Sequence, residues 1–437
     1  MRRFLLFLTV AGGLHGQTPT PQPAPGSTPP GPNRLTLQEA EAMAVRQHPQ
    51  ISAALLNAAA ANQVTIETHA ASMPTFYGSL TAAGAIHSSN LTAGNLNSSA
   101  IYNRLASGIA GSQLLTDFGR TAALTTSARQ RAEALQDNAQ ATRANVLLQV
   151  DVAFYAAMRA QNVLVVAQQT VGNRQTIADQ VTALANSKLK SGLDVSFANV
   201  NLGEAKLLLA DAQNQIRAAF ANLSSAMGSS VPQEYTLVDP GDPSAMPLDP
   251  QPLIQQAEGQ RPEVLSARAQ VASAQSFARA ESDLKRPTIS ALGAVGVNPV
   301  HDETKLTSRY ATAGVNVNIP VFNGHLFRAR QTEAEIRAQA AEQVLRDQQN
   351  KIARDVQVAW LNADNAQKRL ALTADLLAQA NLALDLAQTR YNLGLSSIVE
   401  LSQAQLQKTS AEIGAASAKY DYGLQRAVLD YQVGVTR

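Results

Sequence analysis

From Ile352 to Tyr391, apolar residues return in alternating steps of four and three. The series is Ile352, Val356, Ala359, Ala363, Ala366, Leu370, Thr373, Leu377, Ala380, Leu384, Ala387 and Tyr391, with Thr373 the single exception. A second series lies 206 residues earlier: Val146, Val150, Ala153, Ala157, Ala160, Leu164, Ala167, Val171, Arg174, Ala178, Val181 and Ala185, with Arg174 the single exception. A 3.5-residue repeat keeps one stripe of an α-helix against a partner helix. The helix breakers agree. The 69 residues between Gly324 and Gly394 hold neither Gly nor Pro, and the 72 between Gly119 and Gly192 hold only Gly172. Each helix would be roughly 100 Å long, a length that belongs to coiled coils or repeat arrays. A returning helix carries a sevenfold series of its own: Val399, Leu406, Ile413, Tyr420 and Ala427. The pattern predicts antiparallel hairpins with tips at Gly192 and Gly394.

A different period appears between Tyr310 and Val321. Ala311, Ala313, Val315, Val317 and Ile319 alternate with Thr312, Gly314, Asn316 and Asn318. Such alternation is a strand with one apolar and one polar face. Thr288–Val297 is its expected partner, and Phe76–His87 with Tyr102–Leu115 form a weaker pair earlier in the chain. The connections, Ser88–Ser99 and Asn298–Ser308, are polar.

The chain repeats itself. His48-Pro49-Gln50-Ile51 returns as Arg261-Pro262-Glu263-Val264, and Met73-Pro74-Thr75-Phe76 as Arg286-Pro287-Thr288-Ile289. Leu115–Gly119 answers Val321–His325. Lys190-Ser191-Gly192-Leu193 is matched with Asn392-Leu393-Gly394-Leu395, an offset of 202. The expected layout is a signal peptide over 1–16, a proline-rich linker over 17–34 and a first repeat over 35–230. A linker over 231–252 and a second repeat over 253–437 follow. Each repeat reads helix, β-hairpin (about 75–115 and 287–322), then a long helix pair.

The N-terminus reads as an address. Arg2 and Arg3 precede an apolar run too short to span a bilayer, and small residues near Gly16 fit a cleavage site. The following segment holds Pro19, Pro21, Pro23, Pro25, Pro29, Pro30 and Pro32, which keeps it extended. No later stretch reaches 18 consecutive apolar residues, so no transmembrane helix is expected in the mature chain.

Composition narrows the function. Of 437 residues, 35 are Lys or Arg and 33 Asp or Glu, a net charge of +2 that disfavours a nucleic-acid binder. With no cysteine, disulfide scaffolds, thiolate zinc sites and cysteine nucleophiles are excluded. The six histidines show no metal-ligand spacing, and no Walker loop or nucleophile elbow occurs. No catalytic constellation, metal site or cofactor site is expected, and the chain is read as a non-enzyme.

Strands of about ten residues with one apolar and one polar face suit a membrane barrel, but the smallest such barrels have eight strands. An open sheet edge cannot sit in lipid, because each unpaired backbone group costs several kcal/mol. Either the strands lie outside a membrane, or several chains pool them. The competing reading is a secreted or periplasmic coiled-coil structural protein without a pore.

In their doubled order, the signal peptide, the helix–hairpin–long-helix plan, Leu115–Gly119, Ile319-Pro320-Val321-Phe322-Asn323-Gly324 and the tip glycines resemble the outer-membrane efflux protein family, the TolC-like outer membrane factors. The resemblance covers roughly residues 35 to 437. It implies a mainly α fold with a small β part and four transmembrane strands per chain. A homotrimer would then build a 12-stranded β-barrel in outer-membrane lipid, continuous with a periplasmic α-barrel. The partners implied are a periplasmic adaptor and an inner-membrane transporter, and the function is a passive exit duct for efflux or type I secretion. A duct needs only width and a tolerant lining, so drug, metal-ion and polypeptide ducts share this pattern. The family's docking turns match Gly192, Leu193, Gly394 and Leu395. Its entrance constriction matches Tyr391 and Glu400, with Gln403 where a second acid is usual. Ser396 stands where a basic residue is expected, and Phe197 and Ala198 occupy the matching positions of the first copy. Phe197 suggests an apolar constriction in place of a polar latch.

Overall fold

A computed structural model describes residues 34–84, 90–93, 96–100, 104–241, 246–301 and 307–435. The signal peptide and all but the last residue of the proline-rich segment lie outside the described residues. In chain order the elements are β1 (Arg34–Leu35), α1 (Leu37–Gln47), α2 (Pro49–Ala70), β2 (Thr75–Ala83), β3 (Asn90–Ala93), β4 (Leu96–Ala100), β5 (Arg104–Thr116), α3 (Arg120–Asn186) and α4 (Gly192–Ala226). Then come β6 (Thr236–Leu237), α5 (Gln251–Gln260), α6 (Pro262–Ser282), β7 (Thr288–Val300), β8 (Arg309–Asn318), α7 (Leu326–Asn392) and α8 (Ile398–Val433).

Helices dominate. α3 and α7 each run 67 residues, about 100 Å, and fold back on α4 and α8 of 35 and 36 residues. Their seams are the predicted stripes. Val146, Val150, Ala153, Ala157, Ala167 and Val181 on α3 are buried, as are Ile352, Val356, Ala359, Ala363 and Ala387 on α7. Arg174, the polar exception, is buried too. The sevenfold series on α8 holds only at its C-terminal end. Tyr420 and Ala427 are buried, whereas Val399 and Leu406 are exposed, and Ile398, Leu401 and Ala404 take the seam near the turn. A straight helix drifts about 20° per heptad against a strict seven-residue spacing, so the series rotates off the contact over its length.

The seams feed two equivalent cores. Around α3, Leu37, Ile51, Val150, Phe154, Met158, Phe220 and Leu223 pack together. Around α7, Val264, Ile352, Val356, Leu429 and Val433 do the same. A third, smaller cluster sits at the hairpin ends.

The strands form one antiparallel sheet in the order β2-β5-β7-β8, so the two hairpins join through β5 and β7. The register places Phe76, Leu80, Ile109, Val295, Val315 and Val317 on one face. Tyr77, Ser79, Thr81, Ser112, Ser290, Thr312, Asn316 and Asn318 fall on the other. β8 ends at Asn318, short of the expected Val321, because Pro320 has no N–H to give a ladder. β7 runs three residues further than expected, and the Ser88–Ser99 connection contains the short antiparallel pair β3 and β4. Along the four-stranded sheet, β2 and β8 are edges without partners among the described residues.

The segments expected as linkers take part in the fold. Arg34 and Leu35 pair in parallel with Thr236 and Leu237, and Leu35 and Leu237 are both buried. Trp360 donates its indole N–H to the Pro247 carbonyl at 2.9 Å. Thr236 and Leu237 thus bind to the first repeat and Pro247 to the second.

Candidate functional site

The two hairpin turns share one construction. α3 passes its C-cap Ser187 into Lys188, which has φ 63°, and the Leu189 N–H donates back to the Leu184 carbonyl at 2.9 Å. α7 passes its C-cap Leu393 into Gly394, with φ 76°, and the Leu395 N–H donates to the Arg390 carbonyl at 2.8 Å. Both are left-handed helix exits that satisfy the last carbonyls. Each turn ends on a serine cap. Ser191 Oγ accepts from the Asp194 N–H at 3.2 Å, and Ser397 Oγ from the Glu400 N–H at 3.4 Å.

This geometry corrects the expected pairing of the turns. Lys188 matches Gly394, Leu189 matches Leu395, Ser191 matches Ser397 and Asp194 matches Glu400, all at an offset of 206 rather than 202. Gly192 is therefore the first residue of α4, in helical conformation, and its structural equivalent is Ile398. Of the two glycines expected to supply a positive φ, Gly394 does and Gly192 does not. The repeated Ser-x-x-acid pattern, Ser191–Asp194 and Ser397–Glu400, was the sequence signal that could have set the register.

Leu189, Leu193, Leu393 and Leu395 stand exposed at the two turns. Behind them Tyr391 is buried with Ala178, Val181, Ala198, Leu202, Ile398 and Leu401. Its hydroxyl has no hydrogen-bond partner among the described residues, and the Lys190 ammonium sits 4.2 Å from its ring centroid. Burial, and then the charge of Asp194, raise the Tyr391 pKa, so the phenol is neutral. Glu400 pairs with Arg390 at 3.3 Å, both side chains being well exposed. Phe197 is half-exposed on α4 and Gln403 is exposed on α8. Lys190, Asp194 and Arg390 escaped the sequence reading because each meets its partner across a helix end. Among the described residues no cluster of His, Asp and Glu could hold a metal.

Two helices of about 100 Å, each folded back on a shorter partner, and a four-stranded sheet with two unlike faces make up the fold. The outer membrane efflux protein profile matches residues 42–229 and 253–434, and the chain belongs to that family. It is 24% identical over 325 residues to the outer membrane efflux protein BepC of Brucella suis, covering 72% of this chain and 68% of that one. To the outer membrane protein TolC of Vibrio cholerae it is 26% identical over 365 residues, covering 79% and 81%. The solved structure of CusC superposes with a TM-score of 0.79 at 18% identity, over 91% of this chain and 92% of that one. Family and fold are those of a channel. The protein is an outer-membrane exit duct of a tripartite efflux system, with a large periplasmic part.

Proposed function

We propose that three copies of this chain pool their sheets into a twelve-stranded barrel whose lumen continues into a tube of the long helices. The observation that carries this is the sheet itself: four strands, one apolar face, and edges at β2 and β8 that pair with nothing among the described residues. An eight-stranded barrel has an interior just wide enough for side chains to fill, so two chains would leave no bore; three are the fewest that open one. The apolar face then meets lipid, and the Ser, Thr and Asn face lines the water path. α7 supports the same arrangement lower down. It contains an 18-residue window of mean hydropathy 1.3, of which 11% is buried in the single chain. Leu372, Leu376, Leu382 and Leu386 remain exposed on that helix. A neighbouring subunit is the natural cover for such a face.

The tips are the periplasmic entrance and the docking surface for an adaptor that links the duct to an inner-membrane transporter. The exposed Leu189, Leu193, Leu393 and Leu395 give an adaptor an apolar hold. Tyr391 closes the hairpin ends, and Glu400, with Gln403 a turn beyond it, faces the entry path. Transport is passive, with energy supplied by the pump. In detergent extracts of the outer membrane the full-length protein migrates as a trimer; a water-soluble monomer overturns the proposal. Glu400→Ala lowers cation preference in planar-bilayer recordings, and unchanged selectivity removes Glu400 from the lining.

A further inference from the structure

Twelve positions form the α3 stripe, and one of them is charged. Arg174 lies between the core around Phe154 and Met158 and the tip cluster of Ala178, Val181, Leu202, Tyr391 and Leu401. It is 8% exposed, and its guanidinium donates to Gln405 Oε1 on α8, itself 9% exposed. The equivalent residue of the second repeat is Ala380, which is also buried, so the stripe has no structural need of a cation here. α3 and α8 belong to different hairpins. The contact between Arg174 and Gln405 is therefore part of the seam that must part if one hairpin swings away from the other.

Burying an ion costs more than a single neutral acceptor returns. Burial accordingly pulls the Arg174 pKa down, against the opposing charge of Glu204. Glu204 is exposed on α4, the partner of α3 within its own hairpin, so its attraction persists whether or not α8 leaves. What α8 takes with it on separation is the burial and the Gln405 acceptor. Water has a way in. A cleft of about 310 Å³ opens beside Arg174, walled by Thr170, Asn173, Gln388, Lys408 and Glu412. Asn201 and Ser402 hydrogen-bond at 2.7 Å between α4 and α8 towards the turn, so the seam is polar on that side as well.

We propose that Arg174 is a gating residue. Its buried guanidinium biases the duct towards separation of α8 from α3, and Gln405 is the restraint that holds the seam shut. This rests on the duct reading above, and it predicts opposite signs for two neighbouring substitutions. Arg174→Leu, which makes the stripe uniformly apolar, closes the seam more firmly. Gln405→Leu leaves the guanidinium without its acceptor and loosens it.

The test uses the full-length protein purified in detergent, recorded in planar bilayers and melted in parallel. Arg174→Leu, or Arg174→Met if Leu packs badly, lowers the occupancy of the high-conductance state about tenfold and raises the melting temperature. Gln405→Leu raises the occupancy and lowers the melting temperature. If Arg174 serves only to fix helix register, both variants melt earlier and shift occupancy in the same direction, which overturns the proposal. Unchanged occupancy in Arg174→Leu does so too, as does failure of both Arg174 variants to assemble. A wild-type protein that conducts nothing would instead strike at the duct reading, and the two melting temperatures would then decide whether Arg174 is a buried bias.

Discussion

The Lys190 ammonium rests 4.2 Å from the centroid of the Tyr391 ring, so the turn of the first hairpin is held to the last helical turn of α7. A cation over a phenol face contributes about 0.5–1 kcal/mol when exposed and ~2 kcal/mol when dry. Lys190→Met keeps the stem and removes the charge. It raises the open-state occupancy of the channel a few-fold, and in a Tyr391→Leu background it has no further effect. Additive rather than overlapping changes in this double-mutant cycle would show that the two residues act separately.

The two left-handed exits call for opposite exchanges. Gly394 takes φ 76° at no steric cost, whereas Lys188 carries a side chain at φ 63°. Gly394→Ala lowers stability by about 1–2 kcal/mol, and Lys188→Gly raises it by about 1 kcal/mol. Thermal melts of the purified protein measure both. With a bulky residue at Gly394, efflux complementation is lost while trimers persist.

Adjacent residues on β8 report which face meets lipid. Val315 shares a face with Phe76 and Leu80, and Asn316 shares the opposite face with Thr81 and Ser112. Val315→Arg costs about 2–4 kcal/mol at the bilayer midplane and reduces assembled protein in outer-membrane fractions. Asn316→Arg assembles normally and changes conductance. The reverse outcome would turn the sheet inside out.

At the base of α6, Arg261 and Glu263 make a two-pronged pair, with Nε to Oε2 at 3.1 Å and Nη2 to Oε1 at 2.8 Å. Burial pushes the Glu263 pKa up, but hydrogen bonding and charge from Arg261 outweigh it, and the net shift is downward. A carboxylate with a lowered folded pKa adds stability that is complete above its unfolded value, near 4.3, and lost as pH falls through the folded value. Melting temperature therefore holds from pH 7 to about 5 and declines below about 4.3. Glu263→Gln melts lower at neutral pH, where Arg261 loses its counter-ion, and declines less steeply in acid.

The helices and strands were legible because each obeys a local period. Ile352 through Tyr391 and Val146 through Ala185 mark one face of a helix, and Ala311 through Ile319 one face of a strand, without knowledge of any partner. Glycine by itself does not mark the equivalent positions of the two turns. Gly192 and Gly394 look alike as letters, but the equivalent positions are Lys188 and Gly394, recognisable only by their caps and backbone angles. The β1–β6 strap was missed for a related reason. Two-residue strands 202 positions apart have no period to detect.

The sequence alone determined the periods and the duplication, since these depend on the spacing and identity of side chains. The tertiary structure decided how the hairpins meet: β5 beside β7, α8 against α3, Lys190 over Tyr391 and Arg174 buried on Gln405. Such contacts join residues from helix ends, separate strands and separate hairpins. A one-dimensional pattern records which face is apolar, but the partner is chosen by packing across distances that no local period encodes.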